Sequence, residues 1–233
     1  MVDLQKAHIL LVEDEKNVGS TLVERLQKEG FEVSWATSQE EAKARLIEKK
    51  PDLSVVDIGL PDGSGFQLAS FIRETNPNTA LIFLTAHGDP EDRIRGLELG
   101  AEDYIVKPFH LKEFMLRVQN ALRRARALHG GVGSGEVKIG KAEINFQKFE
   151  VSGVGKKHFL THKECSVLKY LLERRGRVVS RDEILNEVWG EEEFPSSRTI
   201  DNFIVRFRRL VEIDPENPEI IRSVRGVGYQ LYE

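Results

Sequence analysis

Apolar residues in the first half of the chain come in short runs separated by amphipathic stretches. The runs AHILLV, DLSVV, TALIFL and DYIV are rich in Val, Ile and Leu and stand between helical segments. They predict parallel strands covered on both faces by helices. The second half is patterned differently. EVKIG, AEINF, FEVSG and HFL alternate and predict a small antiparallel sheet. Thr161 with Glu164, and Ser180 with Glu183, carry the spacing of capping boxes, which predicts helices through about Arg174 and to near Gly190. A third helix, RTIDNFIVRFRRLVE, lines up Ile200, Phe203, Ile204, Phe207, Leu210 and Val211 on one face that must pack on a core. IIRSVRGVGYQLY then reads as a hairpin in which Gly226 and Gly228 allow a tight turn and Arg225 lies near the tip.

A change of composition separates the halves. HGGVGSGE has no apolar periodicity and reads as a flexible linker near residues 127–135, between a domain at 1–126 and another at 136–233. A length of 233 residues suits two ordinary domains. Residues 1–130 carry 17 Lys and Arg against 21 Asp and Glu, and the remainder carries 17 of each. Any nucleic-acid surface in the second half must therefore come from local patterning rather than bulk charge. The single cysteine, Cys165, excludes an internal disulfide and reads as a reduced helix residue. No leader pattern opens the sequence and no apolar run approaches the length of a membrane span, so a cytoplasmic protein without a membrane partner is expected.

The chemistry sits at the ends of the apolar runs. Glu13 and Asp14 follow the first run, Asp57 the second, Thr85 the third and Lys107 the fourth. In an open parallel sheet the ligand crevice lies beyond the carboxyl ends of the strands, so these five residues should converge. Two carboxylates about 5 Å apart repel by roughly 3 kcal/mol at an effective dielectric of 20, and three in one crevice call for cations. Lys107 is one. The rest of the demand suits a hard divalent ion such as Mg²⁺. A carboxylate beside such an ion can attack phosphorus to give an aspartyl phosphate. Asp57 is the candidate nucleophile, Glu13 and Asp14 are candidate metal ligands, and Thr85 and Lys107 would contact the phosphoryl oxygens.

LLVEDE, VVDIGLPDGSG, FLTAHG and GAEDYIVKPF, spread over about residues 5–125, resemble a receiver domain of a two-component response regulator. The resemblance implies a doubly wound (βα)5 fold with strand order 2-1-3-4-5. It implies phosphorylation of Asp57 by a histidine kinase, with Glu13, Asp14 and the carbonyl of Gly59 as metal ligands. The chemistry would be confined to the domain's own Mg²⁺-dependent phosphorylation and dephosphorylation, and the chain would be a regulator rather than an enzyme. Thr85 and Tyr104 match residues that move on activation, Lys107 matches the phosphate-binding lysine, and Lys107–Pro108 resembles the family's cis peptide. Arg93, Glu98, Asp103, Glu113, Arg117 and Arg124 match charged positions that pair across the two-fold interface of active receivers, which implies a homodimer. The chain departs from the family's common pattern at Gly59, where a larger side chain is frequent, and at His87.

On the third helix of the second half, Arg198, Asn202, Val205, Arg206 and Arg209 fall opposite the apolar face. A helix of this kind beside a basic hairpin can enter the major groove while Arg225 reaches the minor groove. LTHKE, VVSRDEILNEVWG, SRTIDNFIVRFRR and SVRGVGY resemble the winged-helix output domain of the OmpR/PhoB family. That resemblance implies an α+β winged-helix domain binding double-stranded DNA, and a loop, here with Glu191, Glu192 and Glu193, that can contact RNA polymerase. Two other classes fit parts of the pattern. A phosphohydrolase of the haloacid-dehalogenase type would need an acid two residues after Asp57, where Gly59 stands. A flavodoxin-type module would need a phosphate-binding loop where Glu13-Asp14-Glu15 stands. Neither accounts for the second half.

Overall fold

The computed structural model describes residues 7–86, 89–130, 136–153, 155, 157–189 and 197–232. The chain divides into two compact units, Met1–Ala127 and Leu128–Glu233.

The first unit runs β1 (His8–Val12), α1 (Lys16–Lys28), β2 (Glu32–Ala36), α2 (Gln39–Glu48) and β3 (Leu53–Asp57). Two very short strands, β4 (Gly59–Leu60) and β5 (Gly63–Ser64), form a small hairpin before α3 (Gly65–Thr75). Then come β6 (Ala80–Thr85), α4 (Pro90–Glu98), β7 (Asp103–Val106) and α5 (Leu111–Gly130). The main sheet has the order β2-β1-β3-β6-β7, with every pairing parallel. With the hairpin outside that sheet, this is the 2-1-3-4-5 order expected of a doubly wound fold.

Continuous apolar strands are explained by two cores. Ile9, Leu11, Val55, Ile82 and Leu84 face α1 and α5 and pack with Leu22, Leu26, Phe114, Val118 and Leu122. Their alternates Leu10, Val12, Val56, Leu81 and Phe83 face the other way, against Leu46, Phe66, Leu68 and Ile72 of α2 and α3. Each residue of β1, β3 and β6 therefore leaves water whichever way it points. Strand order reverses between β1 and β3, which places the crevice at their carboxyl ends. Helix α5 continues to Gly130, so the first residues of the segment read as linker are helical. The run of Arg, Ala and Leu before Gly130 consists of good helix formers. Residues 131–135 lie outside the described residues.

The second unit opens with an antiparallel sheet of β8 (Glu136–Ile139), β9 (Ala142–Asn145), β10 (Glu150–Ser152) and β11 (His158–Phe159), in the order β11-β10-β9-β8. Helices α6 (His162–Glu173), α7 (Arg181–Trp189) and α8 (Ser197–Val211) follow, with β12 (Val178–Ser180) between the first two. The chain closes on the hairpin β13 (Ile221–Val224) and β14 (Gly228–Leu231). Thr161 and Glu164 form the full capping box of α6. At α7 the Ser180 hydroxyl accepts the Glu183 N–H, whereas the Glu183 carboxylate accepts from Tyr170 and Arg177.

Two features of this unit were not legible in the local pattern. β12 joins the hairpin to make a three-stranded sheet, β12-β14-β13. The turn itself is Arg225-Gly226-Val227, with Gly226 at φ 73°. Gly228 serves a different purpose, because a Cβ there would lie 2.0 Å from the Val179 carbonyl oxygen of β12. Gly228→Ala is expected to lower the stability of this unit by about 1–3 kcal/mol through overpacking against backbone, measurable by denaturant unfolding. The second feature is Glu212, buried just after α8, whose carboxylate accepts the backbone N–H groups of Glu219, Ile220 and Ile221. It ties the irregular stretch after α8 to the start of β13.

Candidate functional site

Parallel register brings the five strand-end residues together in the first unit. Glu13 and Asp14 directly follow β1, and Asp57 ends β3 opposite Leu84. Thr85, one residue further along β6, pairs with Val106, which precedes Lys107. The Lys107 ammonium donates to Asp57 Oδ2 at 2.5 Å and approaches both Glu13 oxygens at 2.8 and 2.9 Å. Glu15 stands 3.5 Å from the same nitrogen. One carboxylate oxygen from each of Glu13, Asp14 and Asp57 lies within 4.8 Å of the other two. Asp57 is buried and Glu13 fully so, while Asp14 is half-exposed at the mouth.

Backbone contacts hold this arrangement in place. The Gly59 N–H donates to Asp57 Oδ1 at 3.0 Å, which orients the carboxylate. Gly65 lets α3 begin against β3, since a Cβ there would lie 2.1 Å from the Asp57 carbonyl oxygen. A Cβ at Gly59, by contrast, would meet only Asp57 Oδ1, at 3.9 Å, so the glycine leaves that carboxylate uncovered on one side. Lys107–Pro108 is a cis peptide, and the Lys107 N–H donates to the Thr85 carbonyl.

Electrostatics follow the geometry. Burial pushes the Glu13 carboxyl up to about 7; the Lys107 hydrogen bond opposes this and the neighbouring Asp57 charge reinforces it. Burial acts to lower the Lys107 ammonium, but its hydrogen bonds to Asp57 and Glu13 outweigh burial and raise it. One lysine thus faces three acids. The oxygen-rich donor set, three carboxylates within one small volume, fits a hard divalent cation. The Trp35 indole N–H donates to the Glu13 carbonyl at 2.9 Å, which makes it a local reporter. Mg²⁺ titration is expected to change Trp35 fluorescence saturably, and Asp14→Ala should shift the midpoint at least several-fold upward. An unchanged midpoint would remove Asp14 from the ligand set.

Other residues proposed from sequence fall into place unevenly. Tyr104 is half-buried on β7, opposite Phe83, with ring centroids 6.0 Å apart. Arg117 bonds within its own chain, to both oxygens of Asp103 at 2.9 Å and to Glu113 at 3.0 Å. Arg124 reaches the carbonyl and carboxylate of Glu102. The side chains of Arg93 and Glu98 lie outside the described residues, as does His87.

In the second unit, α8 buries Ile200, Phe203, Ile204, Phe207, Leu210 and Val211, as its period requires. Asn202, Val205 and Arg209 are exposed on the other side, and Arg225 is exposed in the turn of the hairpin. The Arg198 side chain and residues 190–196, including Glu191, Glu192 and Glu193, lie outside the described residues. Arg206 shares the polar stripe, but its guanidinium turns back to Glu164 and the Phe159 carbonyl, both at 2.6 Å. Arg208 is likewise engaged internally, with the Ile221 carbonyl and Ser223. Asp201 accepts from Arg181 and Tyr229, which joins α8 to the start of α7 and to the hairpin. Burial, with the Asp201 hydrogen bond, pushes the Tyr229 phenol up to about 12.

One buried charged group of α6 escaped the reading of the sequence. Lys163 is 1% exposed, donates to the Val188 carbonyl at 2.9 Å and lies 4.9 Å from the Trp189 ring. Cys165 is free and buried, and burial raises its thiol well above the ordinary range.

Residues 9–119 match the response regulator receiver domain, and residues 155–231 match the C-terminal domain of transcriptional regulatory proteins. The probable transcriptional regulator ycf27 of Porphyra purpurea is 39% identical over 230 residues, covering 97% of this chain and 94% of that protein. The phosphate regulon transcriptional regulatory protein PhoB of Rhizobium meliloti (strain 1021) is 38% identical over 226 residues, covering 96% and 97%. Among solved structures, the response regulator DrrB, an OmpR/PhoB homolog from Thermotoga maritima, is 34% identical, covers 98% of this chain and 100% of its own, and has a TM-score of 0.50. A RitR mutant at 24% identity, covering 97% and 98%, shares the fold with a TM-score of 0.74. The chain belongs to the OmpR/PhoB family of response regulators, with a receiver domain followed by a DNA-binding domain. Among the described residues no helix is long and apolar enough to cross a membrane.

Proposed function

We propose that a histidine kinase phosphorylates Asp57, and that this controls dimerisation and sequence-specific DNA binding to regulate transcription. The observation that carries the reading is the Asp57 carboxylate at the end of β3, oriented by the Gly59 N–H and bonded to Lys107 beside two further acids. Glu13, Asp14, Asp57 and the Gly59 carbonyl would hold Mg²⁺, which supplies charge neutralisation for an incoming phosphoryl group. Lys107 already sits against the attacking carboxylate and would follow its charge onto the phosphoryl oxygens, with Thr85 as the hydroxyl partner. Thr85 and Tyr104 would move together with α4, since Gly96 of that helix packs against the Phe83 and Tyr104 rings.

The receiver surface of Arg93, Glu98, Asp103, Glu113, Arg117 and Arg124 would form a two-fold interface in which acids now bonded within the chain are shared across it. Such a network sets register through paired geometry more than through the strength of any one exposed pair. Arg198, Asn202, Val205 and Arg209 would face the major groove and Arg225 the minor groove, and Glu191, Glu192 and Glu193, outside the described residues, would supply a contact to RNA polymerase. The protein would work in the cytoplasm.

The test is incubation with Mg²⁺ and a small phosphodonor, followed by sedimentation and selection from random duplex DNA. Phosphorylation should at least double the dimer fraction, and Arg117→Glu should abolish that gain. The selected duplexes should contain two half-sites in direct repeat. An unchanged sedimentation profile, or a single unrepeated site, would overturn the dimer reading.

A further inference from the structure

We propose that Arg206 is a positioning residue for the DNA-binding face of α8 rather than a contact to DNA. This rests on the reading that α8 enters the groove. Sequence pattern alone assigns Arg206 to the polar stripe with Asn202, Val205 and Arg209. The structure gives its guanidinium two partners inside the domain. One nitrogen lies 2.6 Å from Glu164 Oε1, and another donates to the Phe159 carbonyl at 2.6 Å.

Glu164 is a demanding partner. Its side chain is 2% exposed, and its other oxygen accepts the Thr161 N–H at 2.7 Å within the capping box of α6. Although the Arg206 side chain is itself 46% exposed, withdrawing it to meet a base would leave a carboxylate that is only 2% exposed without this compensating charge, which disfavours the withdrawn state by up to roughly 10²–10³-fold. A good base contact returns only roughly 10–100-fold. The balance keeps Arg206 with Glu164. Through that pair and the Phe159 carbonyl, the exposed side of α8 is fixed to the start of α6 and to β11, elements that carry none of the proposed DNA contacts. Reading and phosphate contacts then fall to Arg198, Asn202, Val205 and Arg209.

The two roles separate in a mutant cycle on the full chain, using a duplex recovered by selection from random DNA. Glu164→Gln keeps an oxygen for the Thr161 N–H and removes the charge. Arg206→Met removes the guanidinium, and the double variant removes both charges, so that no buried ion is stranded if Arg206→Met fails to fold. A positioning role predicts that Glu164→Gln, Arg206→Met and the double variant each lose about tenfold in specific affinity, without adding. The salt slope and the selected sequence should stay as in the unsubstituted chain. Arg209→Ala, losing a phosphate contact, should instead flatten the slope by about one. The inference is overturned if Arg206→Met, or the double variant in its place, flattens the slope or relaxes one base position while Glu164→Gln leaves affinity unchanged or raises it. Selection that recovers no preferred duplex overturns the DNA-binding reading, and this inference with it.

Discussion

Asp57→Asn is expected to abolish phosphoryl uptake. Intact mass after incubation with Mg²⁺ and a small phosphodonor should show one phosphoryl adduct on the unsubstituted chain and none on the variant. The argument rests on what the amide keeps and what it loses. Asparagine has the size of aspartate and keeps one oxygen, enough to accept at the place of Oδ1 from the Gly59 N–H or at the place of Oδ2 from Lys107 but not at both, because its other end is an NH2 donor. It lacks the anionic oxygen that attacks phosphorus. Glu13, held up near 7 partly by the Asp57 charge, should ionise more readily in the variant. It still cannot replace Asp57, because its side chain is wholly inaccessible, whereas that of Asp57 retains 8% exposure toward the crevice. An adduct of undiminished yield on Asp57→Asn would place the nucleophile elsewhere.

Phe207→Ala should destabilise the C-terminal unit by about 3–5 kcal/mol, the usual cost of truncating a buried aromatic. Phe207 is fully buried on α8, with its ring centroid 6.3 Å from that of Phe203, which in turn stacks on Trp189 at 5.9 Å. Against a total stability of about 5–15 kcal/mol for a typical domain, that loss takes a large share. Urea unfolding followed through Trp189 fluorescence should show the shift, while phosphoryl uptake on Asp57 persists. A loss below about 1 kcal/mol would mean that the apolar side of α8 is not a packed core, since surface substitutions fall in that range.

The cluster of acids around Lys107 was legible because its information is local. Each acid or lysine ends an apolar run, the run announces a buried strand, and parallel topology does the rest. The same holds for the buried face of α8, where a helical period names all six core residues. What escaped depends on contacts between elements. Arg206 looks like any surface arginine until Glu164 of another helix is placed beside it. Lys163 looks solvated until the Val188 carbonyl and the Trp189 ring surround its stem and head. Gly228 looks like a turn residue, and only the approach of β12 shows that it is small for a neighbour's sake. The glycines of HGGVGSGE suggested an earlier break than occurs, because the residues ahead of Gly130 favour helix strongly enough to carry α5 to it.

The Glu212 carboxylate has a consequence in time as well as in space. Amides in irregular, solvent-facing segments normally trade hydrogen for deuterium quickly, because no cooperative opening is needed to release them. Those of Glu219 and Ile220, like that of Ile221 at the start of β13, are held by one buried side chain anchored at the end of α8. Their exchange should therefore track the opening of that helix end rather than the local mobility of the loop, so that a stretch without helix or strand behaves, on the scale of minutes to hours, as part of the core.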